Sequence, residues 1–98
     1  MNWGGAEKRA FRSSEKLAKL RSEITVVESQ IEALRQDADE AHLMELVTEN
    51  PADRREDIDT ARHLKALEGM RATMTLRLER NQERHQLLLG RLFPDGDL

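Results

Sequence analysis

The sequence predicts an all-α protein: a two-helix antiparallel coiled-coil hairpin that pairs with a second copy into a four-helix bundle dimer. Three observations carry that expectation. Leu17, Leu20, Ile24, Val27, Ile31, Leu34, Ala38 and Ala41 follow alternating spacings of three and four, the a/d seam of a helix packed lengthwise on another. Leu64, Leu67, Met74, Leu78 and Leu88 continue the same spacing later in the chain, with Arg71, Asn81 and His85 interspersed. Between the two lies a single break, Asn50-Pro51-Ala52-Asp53, because a residue that precedes proline avoids the α region.

Residues 1–12 read as a flexible basic lead, with Gly4-Gly5 opposing helix and Lys8, Arg9 and Arg12 supplying charge. Ser13 or Ser14 is the expected cap of a first helix over 13–49, with Glu15 favourable in its first turn. The break admits two restarts. Asn50 can cap with Pro51 at the first helical position, or Asp53 can cap with Glu56 closing a capping box.

Facing a positions with d positions decides between them at this stage. Matching Leu17 with Leu88, Leu20 with His85, Ile31 with Met74 and Ala41 with Leu64 gives pairs whose numbers add to 105. The fold-back then centres between Ala52 and Asp53, which favours a turn at 50–53 and a second helix over 54–93. The same register sets Arg35 beside Glu68 on one flank and Glu23 beside Arg84 on the other. Gly90 weakens the last turns, and Pro94-Asp95-Gly96 opens a C-terminal tail over 94–98.

One seam is a thin core. At about 25 cal/mol per Å² of apolar area, it does not outweigh the entropy of ordering about eighty residues. Leu43, Met44, Leu46, Val47, Ile58 and Met70 exceed what the seam needs, and Val26, Leu76, Leu87 and Leu89 also lie off it. They form the expected partner or dimer surface, hence the four-helix bundle.

Composition narrows the function classes. The 98 residues are 36% charged and 3% aromatic, with no cysteine, which excludes disulfides and thiol chemistry. No apolar run is long enough to cross a membrane, and no signal segment is recognised at the start, so a cytoplasmic location is expected. The net charge of −3 conceals segregation: 37–59 carry a local −7, 62–92 a local +4 and the first 36 residues a local +2. An acidic turn and a basic opposite end follow for a chain that doubles back.

Chemistry is sparse. Asp39 with His42, and Asp59 with His63, have ligand spacing on a helix, but the register puts the two histidines on opposite flanks, and no metal site is expected. Asn81 and His85 read as polar residues that set the seam's register, and Arg71 as a snorkelling one. The acidic turn lacks the alternating oxygens and central glycine of a calcium loop. No phosphate loop, nucleophile–histidine motif or pocket-forming layer occurs, so neither a cofactor nor an enzymatic activity is expected.

The expected role is a non-enzymatic helical interaction protein, an adaptor, small chaperone or regulator, with itself and another protein as partners. Nucleic acid is not an expected partner, given the net charge and the lack of stacking aromatics. A transcription or nucleic-acid regulator that uses the charge-segregated coiled coil is the alternative.

Overall fold

The computed structural model describes residues 3–94 and contains two helices, α1 over Gly5–Thr48 and α2 over Pro51–Leu92. There is no strand among the described residues. These residues divide into two compact units, one made of 3–23 with 74–94 and the other of Ile24–Thr73.

In the first unit α1 starts eight residues ahead of Ser13. The expectation of a flexible lead is corrected here. Gly4 accepts the first helical bond from the Lys8 N–H at 3.0 Å, and the Gly4 N–H donates to Glu7 Oε2 at 3.3 Å. That is the carboxylate half of a capping box, with Glu7 at the third helical position. Only Gly5 lies inside the helix, in its first turn, where its flexibility is least damaging. Trp3 packs edge-on against Phe11, with ring centroids 4.9 Å apart.

The core of this unit is Ala10, Leu17 and Leu20, all at a/d positions of α1. Opposite them Met74, Leu78 and Leu88 are half-buried, as are the polar seam residues Asn81 and His85. His85 Nδ1 lies 3.1 Å from Ser13 Oγ. Trp3, Glu7 and Ser14 share a groove with His85, Leu89 and Leu92, so the two helical segments run antiparallel. α2 ends at Leu92, and the Phe93 N–H still donates to Leu89 O at 2.8 Å. The remainder of the expected tail, from Asp95, lies outside the described residues, as do Met1 and Asn2.

The second unit is a helical hairpin. Val27 and Ile31 are its buried residues, with Ile24, Leu34, Ala38 and Ala41 half-buried beside them on the same seam. Leu64 and Leu67 face them, half-buried, from α2. Arg35 Nη2 reaches Glu68 Oε1 at 3.4 Å, the flank pair expected from the sequence.

The register differs from expectation by one heptad. Ser13 opposite His85 adds to 98, not 105, and within the hairpin His42 meets Asp57 and not His63. Carried along the repeat, this register sets Leu20 opposite Leu78 in the first unit, and Ile31 opposite Leu67 and Leu34 opposite Leu64 in the second. The expected register opposed Leu20 to His85 and Leu34 to Arg71. Leu20 and Leu34 now face leucines and a serine takes the histidine, while Leu17 falls opposite Asn81 and Val27 opposite Arg71. Arg35–Glu68 could not distinguish the two registers, because e-flank neighbours recur every heptad. Glu23–Arg84 could, and Arg84 instead shares a groove with Arg9, Arg12 and Lys16.

Candidate functional site

Turn chemistry selects the register. Asn50 is the cap of α2: its Oδ1 accepts the Ala52 N–H at 3.0 Å, and its carbonyl accepts the Arg54 N–H at 3.1 Å. Pro51 occupies the first helical position, where no N–H is needed. The first of the two restarts is therefore the real one, and the expected Asp53 cap with a turn over 50–53 is corrected. The Asp53 carboxylate instead accepts a hydrogen bond from Thr48 Oγ1, which also lies 3.3 Å from the Asn50 N–H. Glu49 closes the corner in the left-handed region, at φ 53°, with its N–H still bonded to Glu45 O at 2.9 Å.

This short connection carries the a/d seam into polar residues. On α1 the seam runs through Ala38 and Ala41 to Glu45, and on α2 it begins at Asp53, Asp57 and Thr60, all half-buried. Two carboxylates therefore meet where leucines would ordinarily pack. His42 Nδ1 lies 3.1 Å from Asp57 Oδ2 and 3.8 Å from Glu45 Oε2. Arg54 Nε sits 3.5 Å from Glu45 Oε1.

The protonation states follow from that crowding. The hydrogen bond and charge of Asp57 raise the His42 imidazole above its ordinary value. A hydrogen bond to Asp57, then desolvation, raises Glu45, which keeps a proton more readily than a free carboxyl. Asp57 is lowered by the same bond from Glu45 and by the one from His42.

One donor atom from each of His42, Glu45 and Asp57 lies within 4.8 Å of the others, close enough to converge on one divalent cation. It is the one such group among the described residues, and Asp39, Asp59 and His63 are not part of it. The sequence reading missed it because it judged His42 by its own helix and by a register one heptad away. The signal was present: Glu45 is four residues past Ala41, and Asp57 seven before Leu64, both in phase with the seam.

Five of the six expected surface residues lie within two or three turns of this corner, and Met70 lies farther along α2. Leu43, Met44, Leu46, Val47, Ile58 and Met70 are all exposed, from 51% for Met44 to 73% for Val47. Leu43, Leu46 and Val47 follow the i, i+3, i+4 spacing of a second apolar face on α1, turned away from the seam. A shallow groove of about 380 Å³ runs beside them, lined by Leu46, Glu49, Pro51 and Arg54 among others. Off the turn, Val26, Leu76 and Leu87 are exposed too, whereas Leu89 is half-buried beside Trp3 and Phe11.

Neither helix is long and apolar enough to cross a membrane, among the residues described. No protein-family model, no characterised protein and no solved structure matches this chain.

Proposed function

We propose that this chain is a non-enzymatic helical interaction protein, working through coiled-coil surfaces as an adaptor, small chaperone or regulator. Its first contact is a second copy of itself, in a four-helix bundle. The observation that carries this reading is the imbalance between core and surface. Five apolar residues are buried, Ala10, Leu17, Leu20, Val27 and Ile31, while eleven large apolar side chains are exposed. Leu43, Leu46 and Val47 among them make a continuous apolar face on α1, which invites a partner helix. Methionines at 44 and 70 suit an adaptable contact.

The test is the solution mass at micromolar concentration. Light scattering is expected to give about twice 11.3 kDa. Leu46→Glu, which touches the outer face alone, is expected to return the mass to the monomer and leave the helical content intact. A monomeric wild type with a cooperative melt would overturn the self-association. A dimer that survives Leu46→Glu and Met44→Glu would move the interface away from the turn.

A further inference from the structure

The heptad phase of the two helices marks out a second surface. In the first unit, α1 places Arg9 and Lys16 at g positions and Arg12 and Lys19 at c positions, while α2 places Arg77, Arg84 and Arg91 at g and Arg80 at c. In an antiparallel pair g faces g, so all eight cations line one flank of the seam. Glu23 is the single acid at a g or c position of this unit, among the described residues; Glu7, Glu15, Glu79 and Glu83 fall at other positions. Arg9, Arg12, Lys16 and Arg84 line a common groove of about 260 Å³ with Ser13, Asn81 and Leu88. None of these four cations has a carboxylate partner among the described residues.

Like charges facing across a helix pair oppose the fold that brings them together. The arrangement is satisfied by an anion laid along the flank. Its form is two rows, with charges repeating each heptad, about 10.5 Å along each helix. Two rows suit an extended polyanion better than a compact one. Six of the eight cations are arginine, whose planar fork matches phosphate oxygens. The groove holds one apolar side chain, Leu88, and no aromatic, so it offers neither an anchor for a protein nor a platform for unstacked bases.

We propose that this flank binds the phosphodiester backbone of a nucleic-acid duplex, through charge and without reading bases. The net charge of −3, which argued against such a partner, is dominated by the acidic segment around the turn, in the other unit.

The test is fluorescence anisotropy of a mixed-sequence 20-base-pair DNA duplex titrated with the full chain, with log K followed against log salt. Four phosphate contacts give a slope of about −3.6, so affinity is expected to fall about a hundredfold between about 50 and 200 mM salt. Lys16→Glu should weaken binding at least tenfold yet raise the melting temperature, because it exchanges a repulsion with Arg84 for an attraction. Arg55→Glu, the same charge change in the other unit, should leave affinity within about threefold. The proposal fails if no saturable binding occurs at about 50 mM salt, or if Arg55→Glu weakens it as much as Lys16→Glu. It fails equally if poly-glutamate competes as well as unlabelled duplex at matched charge.

Discussion

Replacing Glu49 by glycine should stabilise the protein. Glu49 is the one described non-glycine residue with positive φ, at 53°. For an L-residue that conformation costs roughly 1–2 kcal/mol, which glycine avoids. Glycine in turn loses more freedom on folding, roughly 0.4–1 kcal/mol at a compatible position. The exposed Glu49 side chain buries nothing, and its N–H bond to Glu45 O survives the change. The net gain is about 0.5–1 kcal/mol, which for a chain of this size is a rise of about 2–8 °C in melting temperature. Removing an acid from a segment of local charge −7 also helps, so Glu49→Gln and Glu49→Ala are the controls. Thermal unfolding followed by circular dichroism, with all variants at one protein concentration, measures the difference. If glycine is no better than glutamine and alanine, the corner is not strained and Glu49 fits it without cost.

Other perturbations test the seam and its polar end. Ile31→Ala should cost about 2–4 kcal/mol in urea unfolding, since Ile31 is 1% exposed, whereas Leu43→Ala, at 62%, should stay within about 0.5 kcal/mol. Gly69→Ala should add about 0.8–1 kcal/mol, because a methyl there meets nothing within 4 Å and the position is mid-helix. A raised His42 contributes stability that is complete below its ordinary value near 6.5 and lost as pH rises through the folded value. His42→Gln should therefore flatten the fall in melting temperature from about pH 6.5 upward. A lowered Asp57 acts in the opposite sense, its contribution present above the ordinary aspartate value and lost as pH falls through the folded one. Asp57→Asn should accordingly remove part of the acid-side loss, read from the same melts.

The helical class and the seam were legible because a three-four spacing has few other physical meanings. Each residue from Leu17 to Ala41 in that spacing is buried or half-buried. The register was not legible, since a heptad repeat makes alignments seven residues apart nearly equivalent along the seam. What separates them is local: Asn50 capping with Pro51 behind it, and Glu49 tolerating a left-handed corner. A charged residue at that corner gives no sequence signal, where glycine would have. The helix start at Gly5 was hidden for a related reason. Gly4-Gly5 reads as a breaker unless Glu7 is recognised as the group that closes the cap. The titratable trio forms only in the observed alignment, whereas the g and c positions of the cationic flank are the same in either.

The polar end of the seam also decides where the chain begins to fold. Contacts beside the turn, such as Glu45 with Asp57, close a short loop of about twelve residues. They are carboxylates facing a carboxyl-rich helix, and they offer little to hold a nascent pair together. Ile31 with Leu67 closes about 36 residues, which by loop entropy is roughly 1 kcal/mol more expensive than twelve. Burying two such side chains returns about 1.5–3 kcal/mol each. Closure therefore starts in the apolar middle of the hairpin and reaches the turn last, the reverse of a zipper that starts at its loop. Acid, by protonating Glu45 and Asp57, should shift initiation toward the turn and raise the refolding rate even where it lowers final stability.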